Sequence, residues 1–243
     1  MVSYPTLSIV IPGFNHGHYI EDCFAAILNQ TILPDELIFI DNNSTDNTWQ
    51  LINKYKKIFN IKGVRLVIKK EIRQGQGYAR QLGYALVSSN LVGTLDVDSV
   101  IVPNWVETAK KEFADNYNLA CLSGKCYFKN WNFIANIPIF FDFVAFNLVR
   151  PLFQFWGCNA VFRKDVYEKF GGIDGYFKMK RDLNLKYEYD DLYLSEMFKK
   201  TKFKLKVGWN LIANVIVDSD LVRQQDQFTT VLRIKKYFWD MVK

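Results

Sequence analysis

The 243-residue sequence contains only four cysteines and two histidines, and neither set has the spacing of a metal site. The cysteines form no CxxC pair, so we expect neither a structural zinc site nor a disulfide scaffold. Reduced thiols fit a reducing compartment, and we therefore expect a cytoplasmic protein. His16 and His18 have no third nitrogen or sulfur ligand nearby in the sequence, and we interpret both as solvated loop residues.

The sequence also lacks the features of a signal peptide or a membrane span. Its first residues contain no basic stretch followed by a long apolar run. The most apolar region, residues 133–149, is short for a span and contains Asp142, two asparagines and a proline. We expect this region to form a buried or interfacial helix.

No linker, internal repeat or low-complexity segment divides the chain, which predicts one domain over residues 1–243. Hydrophobic residues make up 49% of the sequence, enough for a sizeable core, and the 23% of charged residues does not indicate disorder. The net charge of +6 weakly favours anionic partners such as phosphates, nucleotides or acidic membrane surfaces. No nucleic-acid-binding module is recognisable, so we expect no nucleic-acid partner.

Strand-like and helix-like segments alternate through the first half of the chain. Apolar strands are predicted at residues 7–12, 36–41, 64–69 and 91–98, with a helical pattern after each of the first three. This alternation predicts an α/β fold with a mostly parallel sheet covered by helices on both faces. In such sheets, ligands bind beyond the carboxyl ends of the strands.

Polar or aromatic residues follow all four predicted strands at that same edge. They are Phe14 and Asn15, then Asp41, then the segment from Gln74 to Arg80, and finally Asp96 and Asp98. One such ending carries little information, but four together predict a binding site.

The pair Asp96 and Asp98 offers hard oxygen ligands of the kind that Mg²⁺ or Mn²⁺ prefers. Such ions take further ligands from substrate phosphates, so the pair is a candidate site for a metal and a diphosphate. Taken alone, the tripeptide is better explained by an ordinary turn.

The segments "SIVIPGFN", "FIDNNSTDNT", "GYARQLG" and "DVD" occur in an order that resembles the inverting glycosyltransferases of family 2. The resemblance covers about residues 6–200, with Phe14, Asn42 and Gln81 in place of the family's tyrosine, second aspartate and asparagine. It implies the GT-A fold, a Rossmann-type three-layer sandwich with a mostly parallel central sheet and a smaller acceptor-side half. The nucleotide-binding half would span about residues 1–100, the acceptor half about 101–225, and a C-terminal helix 226–243.

The resemblance also implies roles for individual residues. Phe14 would stack on the nucleobase, Asp41 would hydrogen-bond the base, and Asp98, with Asp96, would hold Mg²⁺ or Mn²⁺. The full nucleotide-sugar-binding set implied is Pro12, Phe14, Asn15, Asp41, Gln74, Gly75, Arg80, Asp96 and Val97. A purely structural role is open for three of these residues: Phe14 as a core aromatic, Arg80 as a solvated helix charge and Asp41 as a loop cap.

Glycosyl transfer also needs a base to take the proton of the acceptor hydroxyl. The segment "EYDDLYL" resembles the family's acidic motif, which makes Asp191 the base and Asp190 the alternative. A second alignment puts Glu188 in the glutamate position and Tyr189 in the base position. We favour Asp191, although acids at the start of a helix are also explained by its dipole.

On the acceptor side, the resemblance places Gly157, Asn159 and Arg163 near the donor sugar or the acceptor. The expected donor is a UDP-, GDP- or dTDP-linked sugar, and the expected acceptor is a glycan or lipid-linked hydroxyl. The family's processive Q-x-x-R-W motif is absent, which predicts single transfers. A sugar-phosphate nucleotidyltransferase and a non-catalytic glycosyltransferase-like partner protein are the alternatives.

The C-terminal segment 226–243 interleaves basic and aromatic residues in a helical pattern. It either packs its apolar face on the domain or lies peripherally on the anionic inner face of a membrane. We favour packing on the domain.

Overall fold

The computed structural model describes residues 4–129, 155–216 and 227–240. The prediction of an apolar helix at 133–149 therefore lies outside the described residues. The strands are β1 (Leu7–Gly13), β2 (Glu36–Asp41), β3 (Arg65–Lys70), β4 (Leu91–Leu95), β5 (Ser99–Ile101), β6 (Leu119–Lys129), β7 (Asn159–Arg163) and β8 (Lys204–Ile216). The α-helices are α1 (Ile20–Leu28), α2 (Thr48–Ile61), α3 (Gln76–Ala85), α4 (Trp105–Asp115), α5 (Lys164–Lys169), α6 (Asp174–Asp182), α7 (Asp190–Lys199) and α8 (Gln227–Asp240).

The eight strands form one sheet in the order β3-β2-β1-β4-β7-β6-β8-β5. The four strands at one end, β3, β2, β1 and β4, are all parallel, as the alternating first half of the sequence predicts. β7 then runs antiparallel to both β4 and β6, and the short β5 returns to pair antiparallel with β8. The sheet is thus mixed and mostly parallel.

Two hydrophobic layers cover the sheet because successive side chains of a strand point to opposite faces. In β1, Val10 joins the layer that contains Tyr84 of α3, whereas Ile9 and Ile11 join the layer that contains Phe24 of α1. The central strands β1, β2 and β4 are buried along their whole length, which explains their unbroken apolar sequences.

The predicted fourth strand is shorter than the sequence pattern suggests. β4 ends at Leu95, and the backbone N–H of Ser99 closes a turn onto the carbonyl of Asp96 at 3.0 Å. Asp96 and Asp98 therefore lie in a turn at the carboxyl end of the strand, where side chains two residues apart need not point to opposite faces.

α3 packs directly against β1 at Gly83. A Cβ atom at this position would lie 2.4 Å from Cγ1 of Val10, so only glycine allows the observed approach. The same helix begins at Gln76, at the edge where the strands end, and it carries Arg80.

Among the helices that the structure describes, none combines the length and the apolarity needed to cross a bilayer.

Candidate active site

The loops after β1 and β2 are joined by hydrogen bonds centred on Asn15. Its backbone adopts a left-handed conformation with φ of 54°, and its Oδ1 accepts the backbone N–H of Thr45 at 2.8 Å. Its own N–H donates to Oγ of Ser44 at 3.0 Å. Asn15 thus holds the two loops together and fixes the positions of its neighbours Phe14 and His16.

A second asparagine fixes the loop between β3 and α3. Nδ2 of the buried Asn42 donates to the carbonyls of Glu71 at 2.9 Å and Arg73 at 2.7 Å, and Oδ1 accepts the N–H of Gly75 at 2.9 Å. Gln74 returns a bond from its side-chain amide to the Asn42 carbonyl at 2.8 Å. An aspartate has no N–H to donate to the two carbonyls, which gives a physical reason for asparagine at this position.

These loops enclose a groove of about 250 Å³ at the carboxyl edge of the sheet. Residues lining it include Pro12, Phe14, His16, Asn42, Gln74 and Gly75. The Phe14 side chain is 42% exposed, so it is not a core aromatic. Of the two loop histidines, His18 is exposed, whereas His16 is partly buried and lies on the groove wall.

Asp41 is fully buried at the end of β2, between the groove-lining residues Gly13 and Asn42. One carboxylate oxygen accepts the backbone N–H of Ser44 at 3.3 Å. The other, Oδ2, has no hydrogen-bond partner among the described residues. A buried carboxylate oxygen without a donor is costly, so this position suits a ligand that brings an N–H or O–H group.

Arg80 is buried and forms two ion pairs, so it is not a solvated helix charge. Nη1 donates to Asp190 at 2.7 Å and Nη2 donates to Asp96 at 2.7 Å, and Gln76 adds a bond to the same Asp96 oxygen at 2.8 Å. Burial opposes the charge, but Asp190 and Asp96 hold the pKa of Arg80 above its usual range. The guanidinium lies against Gly157, where a Cβ atom would be 2.6 Å from Nη1.

Asp96 forms an ion pair with Arg80, whereas no ion pair of Asp98 lies among the described residues. Oδ1 of Asp98 is buried and has no hydrogen-bond partner among the described residues. Burial, together with the negative charge of Asp96, raises the pKa of Asp98 to about 7. A divalent cation would offset both the cost of burying the Asp98 charge and its repulsion from Asp96, so this carboxylate fits a metal ion.

The described residues contain no cluster of three or more histidine, cysteine or acidic side chains that would hold an ion unaided. A divalent ion at Asp98, with Asp96 beside it, would need further oxygen ligands from water or from a phosphorylated substrate.

The acidic segment lies where α7 begins. Asp190, its first residue, is 2% exposed and bound to Arg80, whereas Asp191 is only partly buried. Glu188 accepts hydrogen bonds from the hydroxyl of Tyr176 and from Nζ of Lys180. Each acid of the segment thus has a different environment.

Three residues of the predicted set do not present their side chains to this edge. Asn159 uses its amide in the core, where it accepts from Trp105 at 2.8 Å and donates to the carbonyl of Lys125 at 2.8 Å. Arg163 lies at the opposite edge, because β7 runs antiparallel to β4 and pairs Arg163 with Leu91. The side chain of Val97 is buried in the hydrophobic layer.

Comparison with known proteins agrees with this architecture. The family model described as glycosyl transferase family 2 matches residues 8–171. The chain belongs to this family. The fold and the family expected from the sequence motifs are therefore confirmed.

This family 2 chain resembles parts of larger proteins. It is 35% identical over 118 residues to a chondroitin synthase of Pasteurella multocida, which is 49% of this chain and 12% of that protein. It is 30% identical over 102 residues to the glycosyltransferase GlyG of Streptococcus pneumoniae, which is 42% of this chain and 33% of that protein.

Solved structures share the fold at low sequence identity. A mannosyltransferase of Pyrobaculum calidifontis in complex with GDP-Man and Mn²⁺ superposes with a TM-score of 0.64 at 17% identity, over 89% of this chain and 58% of that one. TarS 1–349 of S. aureus in complex with UDP superposes with a TM-score of 0.62 at 16% identity, over 87% of this chain and 60% of that one.

The Asn42 contacts lead to a stability prediction. Asn42→Asp removes both donors to the carbonyls of Glu71 and Arg73, so we expect the free energy of unfolding to fall by about 1–3 kcal/mol. Urea denaturation measures the change. Asn43→Asp, the same chemical change at the exposed neighbouring position, is the control and should have little effect. Equal effects of the two substitutions would contradict the role given to the Asn42 amide.

The environment of Asp98 predicts that a substitution at this position stabilises the protein. In metal-free protein at pH 8, Asp98→Asn should raise the free energy of unfolding by about 1–3 kcal/mol, because a neutral amide carries no buried charge. The gain should shrink as the pH falls through about 7, where Asp98 itself becomes neutral. Asp96→Asn is the matched control and should destabilise, because it weakens the ion pair with Arg80. Thermal denaturation with a chelator present checks both variants, and a lower midpoint for Asp98→Asn would refute the argument.

Proposed function

We propose that this chain transfers a sugar from a nucleotide-diphosphate sugar to a hydroxyl acceptor, with inversion at the anomeric carbon. The observation that carries the proposal is the convergence of three features at one edge of the sheet. They are the groove, the unpartnered carboxylate oxygen of Asp98 and the buried ion pairs of Arg80. Family membership supports it.

The groove is the proposed binding site of the nucleotide. The exposed face of Phe14 offers a stacking surface for a base, and the free Oδ2 of Asp41 offers an acceptor for a base N–H. The structural neighbours bound to GDP-Man and UDP support a nucleotide-linked donor for this chain. UDP, GDP and dTDP are the candidate nucleotides.

Asp98, with Asp96 beside it, would hold Mg²⁺ or Mn²⁺. When bound, the ion supplies Lewis-acid stabilisation of the negative charge that develops on the diphosphate leaving group. The unpartnered Oδ1 of Asp98 and the Mn²⁺ of the mannosyltransferase neighbour support this assignment. Arg80 fixes the position of Asp96 and places a buried positive charge beside the same site.

Asp191 is the residue that we assign as the base. Asp190 is buried and accepts a hydrogen bond from Arg80, and Glu188 accepts hydrogen bonds from Tyr176 and Lys180. Asp191 follows Asp190 directly and is partly exposed. It would take the proton of the acceptor hydroxyl as that oxygen attacks the face opposite the diphosphate.

A binding screen followed by a transfer assay tests this function. Thermal denaturation of the purified chain with UDP, GDP or dTDP, with and without Mn²⁺, should show Mn²⁺-dependent stabilisation by one nucleotide. The corresponding nucleotide-sugars are then assayed for transfer to glycan and lipid-linked acceptors. Absence of stabilisation by all three nucleotides would favour a non-catalytic partner protein.

Asp191→Asn should lower the transfer rate at least about 100-fold and leave nucleotide binding intact, because only the proton acceptor is lost. Asp190→Asn is the comparison variant. It should lower the denaturation midpoint, because it leaves the buried Arg80 less well neutralised. Full activity of the Asp191 variant would rule out Asp191 as the base.

The C-terminal helix α8 adds a proposed membrane contact. Its inner face packs on the domain through Ile234 and Phe238, which are 1% and 4% exposed. Its outer face presents Leu232 and Trp239, at 46% and 68% exposed, together with the exposed Lys236. Apolar and cationic side chains on one exposed helix face suit the surface of an anionic bilayer.

Vesicle sedimentation tests this contact. The chain should bind phosphatidylglycerol vesicles more tightly than phosphatidylcholine vesicles, and added salt should weaken the binding. Lys236→Glu should reduce binding several-fold, whereas Lys57→Glu, at an exposed position of α2, should reduce it less. Equal binding to both kinds of vesicle would contradict the electrostatic part of the proposal.

A further inference from the structure

His16 lies on the wall of the groove, and its backbone is held on both sides. Its N–H donates to Oγ1 of Thr48 at 3.0 Å, and its carbonyl accepts the N–H of Tyr19 at 3.0 Å. The preceding Asn15 is fixed to the loop after β2. The imidazole is thus presented to the groove from a fixed position before any ligand binds.

A hydrogen bond to the ring indicates which nitrogen carries the proton. Nδ1 accepts the backbone N–H of Phe14 at 3.5 Å, so a neutral ring carries its proton on Nε2. Burial lowers the pKa of His16, although the negative charges of Asp96 and Asp46 oppose the shift. Burial thus favours the neutral ring, which offers a single N–H donor.

That donor has no acceptor within the described part of the chain. His16 borders Phe14, the proposed base platform, and the same groove is lined by Gln76, which donates to Asp96 at 2.8 Å. A group between the base platform and the acidic pair would face the ribose and diphosphate of a bound nucleotide.

We infer that Nε2–H of His16 donates a hydrogen bond to the diphosphate of the nucleotide donor. The inference rests on the proposed function and adds a contact that distinguishes a nucleoside diphosphate from the corresponding nucleoside. His16 is a binding residue in this scheme and takes no proton from the substrate.

A fragment series isolates this contact. The nucleotide that stabilises the wild-type chain is compared with its nucleoside by calorimetry, with Mn²⁺ held constant. His16→Phe keeps a ring on the groove wall and removes the N–H. It should weaken binding of the diphosphate about 10-fold, the usual effect of losing a hydrogen bond to a charged group, and leave nucleoside binding within about two-fold.

Two further variants separate the hydrogen bond from the shape of the loop. His16→Gln places an amide N–H near the position of Nε2 and should recover most of the diphosphate affinity. His18→Phe changes the exposed neighbouring histidine, which is not part of the groove lining, and should leave both affinities unchanged.

The outcomes are distinguishable. Equal losses for nucleoside and diphosphate in His16→Phe, or no loss for either, would overturn the inference and leave the proposed function standing. A wild-type chain that binds none of the three nucleotides would overturn the proposed function and this inference with it. Selective loss in His16→Phe with recovery in His16→Gln supports it.

Discussion

The buried charge of Arg80 is the constraint on which the rest of the site depends. A guanidinium removed from water needs anionic partners, and Arg80 takes Asp96 from the end of β4 and Asp190 from the start of α7. These partners come from the two halves of the chain, so one helix residue joins the parallel half of the sheet to the acidic segment. Gly83 allows this geometry by letting α3 lie close to β1, and Gly157 leaves room for the guanidinium.

The unmet hydrogen-bonding capacity of the described residues is concentrated at this same edge. The buried side-chain atoms without a partner there are Oδ2 of Asp41, Nε of Arg80 and Oδ1 of Asp98. Proteins rarely leave buried polar atoms unpaired, and such atoms cost stability unless a ligand, ion or water satisfies them. All three atoms lie near the edge of the sheet where the strands end, which is physical support for a site that does not depend on any motif.

The sequence predicted the parallel half well because buried parallel strands are unbroken apolar runs, and their carboxyl ends share one edge. It did not predict the direction of β7, so the motif similarity placed Arg163 at an edge it does not occupy. The spacing of residues in the sequence also does not reveal contacts between strands. Sγ of Cys126 and Sγ of Cys158, for example, lie 3.3 Å apart as free thiols. The position of His16 was missed for the same reason, since its loop is positioned by bonds from the loop after β2.

The two asparagines show how the nucleotide groove gains its rigidity. Asn15 and Asn42 each use a side-chain amide to join loops that follow different strands, and Asn42 uses both the donor and the acceptor capacity of its amide. Loops fixed in this way lose little conformational entropy when a ligand binds, so more of the contact energy appears as affinity. Asn42 stands where the family has its second aspartate. Asparagine lacks the negative charge, but its amide fixes the groove wall through hydrogen bonds with Arg73 and Gly75.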